Sequence, residues 1–324
     1  MVPRLRKECG RGEKREDGGY NLLAASILYQ LFSTLYPLRL TIDADLLRIP
    51  VGPGSMHVER YGHGGAPILL VHGFGTCSFL WREVGPVLAA ANRTAFAIDL
   101  FGYGESDRPF DAQFGIAAQS EYLDRALTAL RLSKASVVGV DLGGAVAMHL
   151  AYTRPERVDR LVLVNPIALD EIPADDIKTL QRNTGRFAIR ISHGVLGAAP
   201  LMRDLLQHSV ADQANMPDPL LARYLAPYVG GEGLNHLLAL SRSVTDEDMA
   251  DVELRQLDRP TLIVWGDQDA FVSAKTGERL AETIPGSRLV RLPGIGRLVP
   301  EEAPETLANM ILEFVGAAGM VRTE

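Results

Sequence analysis

The chain has little cysteine: Cys9 and Cys77 are its only two in 324 residues. Neither a disulfide framework nor a cysteine-based metal site is expected, because both need more ligands at set spacing, and a reducing, cytoplasmic compartment is the default. It also lacks an excess of positive charge. Lys and Arg total 33 against 40 Asp and Glu, a net charge of −7, so no clustered basic surface for tracking phosphates is expected and a nucleic-acid partner is excluded. Internal repeats and low-complexity tracts are absent. No cofactor and no metal is expected, and the partner called for is a small-molecule substrate or ligand.

A clean membrane-spanning run is missing as well. Residues 1–17 carry six basic and four acidic side chains, and Gly18 to Leu38 carry none. Within that uncharged stretch Leu22, Leu23, Ile27, Leu28, Leu31, Phe32 and Leu35 form a wide apolar stripe at helical spacing. Asn21, Ser26, Gln30, Ser33, Thr34 and Pro37 interrupt the about twenty predominantly apolar residues that a span requires. A signal peptide would need a cleaner basic start and a small-residue cleavage site. The reading is a tail and amphipathic helix over residues 1–50, packed on the domain or lying on a membrane surface through residues 20–38.

What is present from about residue 55 is an alternation of short apolar, β-branched runs with helical periods, the pattern of a mostly parallel sheet covered on both faces. Strands are expected at Met56–Tyr61, Pro67–His72, Thr94–Leu100, Ala135–Val140, Leu161–Asn165, Thr261–Trp265 and Arg288–Leu292. Helices are expected at Phe79–Ala91, Ala117–Leu130, Gly143–Thr153, Ala274–Thr283 and Glu302–Val315. Between Asn165 and Pro260 some ninety residues show no strong strand, too long for a simple connection, and read as an inserted helical cap. With Phe187, Ile189, Ile191, Leu196, Leu201, Met202, Leu205, Tyr224, Tyr228 and a flexible Gly230-Gly231-Glu232-Gly233, that cap suits a lid over an apolar pocket. The division expected is tail 1–50, core 51–165, cap 166–250 and core 251–324.

Three motifs fall at successive strand ends: His72-Gly73-Phe74-Gly75, Gly139-Val140-Asp141-Leu142-Gly143, and Gly266-Asp267-Gln268-Asp269. With Asp99-Leu100-Phe101-Gly102-Tyr103-Gly104-Glu105-Ser106, this arrangement resembles the α/β-hydrolase superfamily over roughly residues 50–317. The resemblance implies a doubly wound α/β sheet with an inserted helical cap and a nucleophile elbow at Asp141. The bland alternative for Asp141 is a helix N-cap, a position Asp favours. An aspartate at the elbow is similar to the haloalkane dehalogenase, fluoroacetate dehalogenase and epoxide hydrolase branches, in which the carboxylate attacks carbon and a histidine then activates water against the ester.

By that resemblance Asp269 takes the position of the acid that orients the histidine, and Arg297, in Gly294-Ile295-Gly296-Arg297-Leu298-Val299-Pro300-Glu301, takes the position of the histidine itself. A guanidinium accepts no proton near neutral pH, so Arg297 is no general base. It is expected either to pair with Asp141, Asp269 or both in a buried cluster, or to point to solvent. Leu142 stands where the dehalogenases commonly carry a tryptophan, and Phe74 stands where some have a second halide donor. Tyr224 and Tyr228, spaced as one helical turn, match the two tyrosines that epoxide hydrolases place over the oxirane oxygen, or else they pack. Asn165 and Asp267 are candidate polar members of the pocket, and His149, His193, His208 and His236 are candidates for a relocated base, His72 being expected to point away.

Two functions compete. In one, an enzyme acts through Asp141 as nucleophile or base, with Arg297 binding an anionic group or developing negative charge and with Gly73, Phe74 and Leu142 forming an oxyanion site. Its reaction is an atypical hydrolysis of a small, largely apolar molecule, or a lyase, isomerase or cyclase step. In the other, a non-catalytic descendant keeps the pocket for a small ligand, and Asp141 and Arg297 form a structural salt bridge.

Overall fold

The computed structural model describes residues 44–183 and 197–316. One eight-stranded sheet organises them: β1 (Asp45–Pro50), β2 (Ser55–Tyr61), β3 (Pro67–Val71), β4 (Thr94–Ile98), β5 (Ala135–Val140), β6 (Val158–Val164), β7 (Thr261–Gly266) and β8 (Arg288–Leu292). Their spatial order is β1-β2-β4-β3-β5-β6-β7-β8. β2 runs antiparallel to both β1 and β4, and every later pairing is parallel. The central strands are buried on both faces, which is why they read as continuous apolar runs.

Alternate residues of each strand serve two cores. Ile68, Leu70, Val138, Val140, Val162 and Val164 face α1 (Val84–Ala90) and the C-terminal helix α10 (Pro304–Gly316). Leu69, Val71, Val137, Leu161, Leu163 and Ile263 face α2 (Ile116–Ala129), α3 (Leu142–Thr153) and α8 (Ala274–Thr283). Between β6 and β7 the described residues contain helices and turns and no strand: α4 (Asp175–Asn183), α5 (Ala199–His208), α6 (Asp218–Leu225) and α7 (Gly230–Ser243).

Several boundaries differ from expectation. The tail does not run to residue 50, because Asp45–Pro50 forms β1; charged residues, an exposed face and a terminal proline hide this edge strand from a pattern search. The helix expected from Phe79 is a 3-10 turn at Ser78–Trp81 followed by α1, since the Pro86 ring excludes a helical carbonyl at Arg82. The last helix is likewise preceded by a separate turn, α9 (Val299–Glu302). Ala303 stands before Pro304 with φ −144° and ψ 53°, outside the helical region. Gly230-Gly231-Glu232-Gly233 forms the first turn of α7, where a Cβ on Gly233 would lie 2.3 Å from the Tyr228 backbone. The apolar stripe at residues 18–38, and Phe187, Ile189, Ile191, His193 and Leu196, lie outside the described residues.

Among the described residues no helix is long and apolar enough to cross a membrane, and no cluster of His, Cys, Asp or Glu is arranged to hold a metal.

Candidate active site

β5 ends at Val140, and Asp141 follows with φ 53° and ψ −119°, a strained conformation from which the chain turns into α3. Such a turn is possible only where its neighbours have no side chain. A Cβ on Gly143 would stand 2.4 Å from the His72 carbonyl oxygen, and one on Gly73 would stand 2.7 Å from both Cβ and Oδ2 of Asp141. Gly73 therefore lets the β3 turn pack against the elbow, and its own polar work is to accept from His72 Nδ1 and Thr76 Oγ1.

Asp141 stands at the N-cap position of α3, but its side chain makes no capping bond to that helix. Oδ2 instead accepts from the Phe74 backbone N–H at 2.8 Å. The expected oxyanion site is thus directed at the aspartate: the Phe74 donor is already used on the elbow carboxylate, and the Leu142 amide favours its charged form too. Among the described residues Oδ1, fully buried, has no hydrogen-bond partner.

Arg297 does not point to solvent. Its side chain is 2% exposed, and its Nη1 lies 3.3 Å from Asp141 Oδ1 and 2.9 Å from Asp176 Oδ2, while Nε lies 3.3 Å from Asp269 Oδ1. The Phe271 ring covers the guanidinium at 4.6 Å, and Nη2 is buried with no hydrogen bond. The cluster therefore sets three buried carboxylates against one cation. Burial pulls the guanidinium pKa down, but Asp176, Asp141 and Asp269 outweigh it and keep Arg297 charged. Asp141 is pushed up to about 6, first by burial and then by repulsion from Asp176, against the opposing pull of Arg297 and the Phe74 and Leu142 amides.

Asp269 is fixed from the opposite side. Its Oδ1 accepts from the N–H groups of Phe271 and Val272, and its Oδ2 accepts from Asn165 Nδ2 at 3.1 Å. Asn165 also donates to the Gly266 carbonyl and accepts from the Gly266 N–H, so its amide ties β6 to β7 and supports Asp269 rather than facing a substrate. Asp267 is elsewhere, paired with Arg291 at the surface.

The two expected tyrosines part company. Tyr224 ends α6 with its hydroxyl on Glu301 and its ring against Phe79, in the core beside α1. Tyr228 belongs to the other core, because Pro227 ends the helical path in a 3-10 turn, so the pair shares no helical face. Tyr103, which no sequence signal singled out, is fully buried, and its hydroxyl has no partner among the described residues. Burial, then Tyr228 and Asp141, raise its pKa, and its ring stands edge-on to Phe74 and His72.

Among the described residues no histidine nitrogen bonds Asp141. His72 Nδ1 donates to the Gly73 carbonyl and Nε2 accepts from the Leu100 N–H, and burial lowers its pKa, so the ring is a neutral structural bridge. His236 bonds the Gly102 carbonyl and burial holds its pKa at about 4; His208 is an exposed residue of α5. His149 sits along α3, its pKa lowered by burial.

Comparison with known proteins agrees with this architecture. A family model described as the alpha/beta hydrolase fold matches residues 66–304. The chain is 26% identical to an uncharacterized hydrolase, YugF, of Bacillus subtilis over 84% of its own length and 98% of the relative. It is 28% identical to a 2-hydroxy-6-oxo-2,4-heptadienoate hydrolase of Pseudomonas putida over 85% of its length and 98% of that protein. An alpha/beta hydrolase fold protein from Burkholderia ambifaria superposes with a TM-score of 0.73 at 27% identity, covering 83% of this chain and 99% of the other.

Proposed function

The chain belongs to the α/β-hydrolase fold family, and from that premise we propose that it is an atypical enzyme of the family in which Asp141 Oδ1 accepts a proton during reaction of a small, largely apolar organic molecule that carries no negative charge. The observation that carries this reading is that oxygen: buried on a strained elbow, on a carboxyl anchored through its other oxygen by Phe74, and without a hydrogen bond of its own.

Proton transfer is the chemistry these groups can complete. Were Asp141 to attack carbon, the resulting ester would need a base to activate water, and Arg297 accepts no proton. A carboxylate whose pKa is about 6 takes a proton near neutral pH and returns it within one cycle. An anionic substrate is disfavoured because three carboxylates already surround one guanidinium, so a further anion meets net repulsion. Arg297 is accordingly assigned to the cluster and not to an anionic substrate group. The hydrolase names of the relatives favour water as the proton donor.

A second reading, the covalent route of the dehalogenase and epoxide hydrolase branches, draws support from the same anchoring of Oδ2, which presents Oδ1 as the attacking oxygen. One experiment separates the readings. Esters, epoxides, haloalkanes and enolisable ketones are incubated with the protein in water enriched in heavy oxygen and in deuterated water. Heavy oxygen in the product marks hydrolysis, deuterium on carbon marks a lyase or isomerase step, and a stable mass adduct on Asp141 marks the stalled covalent route. Thermal stabilisation by these compounds with no Asp141-dependent conversion would instead identify a binding protein and refute the enzyme.

A further inference from the structure

Two fixed carboxylates compete for a single nitrogen of Arg297. Asp176 Oδ2 accepts a hydrogen bond from Nη1 at 2.9 Å, whereas Asp141 Oδ1 stands 3.3 Å from the same nitrogen and receives no hydrogen bond. Neither carboxylate is free to shift. Asp176 Oδ1 accepts from the Ile177 N–H in the first turn of α4, where the helix favours negative charge, and Asp141 Oδ2 is held by Phe74.

We propose that Asp176 is the positioning residue for Asp141: by holding Nη1 from α4 it withholds from the elbow carboxylate the close ion pair that would make it an inert structural anion. The inference rests on the reading of Asp141 as the reacting group and supplies the device that keeps it reactive. Neutralising Arg297 does not by itself require Asp176. Asp269 already engages Nε, and a further buried anion beside one cation adds desolvation cost and mutual repulsion.

Among the described residues the charged and titratable groups facing this contact are few. Asp141 faces Arg297, Asp176 and the Tyr103 phenol; Arg297 faces Asp269 beyond them, with Asn165 on the far side of Asp269 and the Phe271 ring over the guanidinium. Removing the Asp176 charge acts on Asp141 twice in one direction. It ends a repulsion that disfavours the carboxylate, and it frees Nη1 to donate to Oδ1, which favours the carboxylate.

The test is carboxyl-carbon NMR of the full chain labelled at aspartate, with Asp141→Asn identifying the Asp141 resonance. The wild-type midpoint is expected near neutral pH. In Asp176→Asn it should fall by about one unit or more, roughly tenfold in proton affinity. Asp176→Glu should retain the wild-type midpoint, and so should Asp175→Asn at the exposed neighbouring position. An unchanged midpoint in folded Asp176→Asn overturns the proposal. If that variant does not fold, the wild-type titration decides, because a midpoint below about 4 would mean that the close pair already exists. The titration needs no substrate, so a shifted midpoint without turnover would reject the enzymatic reading and leave the positioning intact.

Discussion

The Phe74 amide donates to Asp141 Oδ2 at 2.8 Å, and this contact turns a potential oxyanion donor into the mount of the elbow carboxyl. Oδ1 is the oxygen proposed to take the proton. Asp141→Asn keeps an acceptor for Phe74 but loses the proton acceptor. Turnover of any substrate found by the isotope screen should fall about 10²- to 10⁴-fold, with an unchanged circular dichroism spectrum. Turnover surviving in the folded variant would remove Asp141 from the chemistry.

The same carboxyl gives stability a defined pH slope. Its folded pKa of about 6 lies above the ordinary value of 3.8, so the folded state binds the proton more tightly than the unfolded chain. The resulting stabilisation is complete below pH 3.8 and is lost as pH rises through 6, and it amounts to on the order of 2–3 kcal/mol. Urea unfolding of wild type and Asp141→Asn at several pH values isolates it: the difference between them should move in the variant's favour from pH 4 to pH 7.5. A flat difference would mean that Asp141 titrates alike in both states.

Tyr224 and Tyr228 provide a contrast. The Tyr224 hydroxyl bonds Glu301, which also pairs with Arg82 at 2.7 Å, far from any role in proton transfer. Tyr224→Phe should cost about 1.5–3 kcal/mol in chemical denaturation, the scale of a hydrogen bond to a charged group, and leave turnover within twofold. A large loss of turnover with unchanged stability would return Tyr224 to the site.

What the sequence made legible follows from local constraint. Gly139, Asp141 and Gly143 revealed the elbow because a strand turning sharply into a helix forces small residues into fixed positions. The central strands were legible because burial on both faces leaves them only apolar choices. β1 was hidden because an edge strand has no such restriction. Asp176 was invisible for another reason: it contacts Arg297 across 121 positions, and Asp175-Asp176 at the start of α4 reads as ordinary helix-terminal charge. The pairing of Tyr224 with Tyr228 failed through a readable signal, since Pro227 between them forbids a continuous helical face.

Arg297→His puts the cluster to its severest test. Asp269 is already held by Phe271, Val272 and Asn165 in a position to orient an imidazole, so the substitution supplies the base that an ester intermediate on Asp141 requires. In that intermediate Asp141 is an ester without charge, but the introduced ring would still face Asp176 and Asp269, each favouring the imidazolium and raising its pKa above the ordinary 6.5 or so. The single variant should therefore hydrolyse epoxides or haloalkanes only at alkaline pH, with a rate that rises as the imidazolium loses its proton. Combining it with Asp176→Asn removes one of the two remaining charges, and the rising limb should move towards neutral pH by about a unit. Rates measured across this range in both variants decide the matter. If neither folded variant turns over, the pocket around Asp141 has been rebuilt beyond the covalent chemistry of the dehalogenase and epoxide hydrolase branches; if both share one pH limb, Asp176 exerts no field on the site.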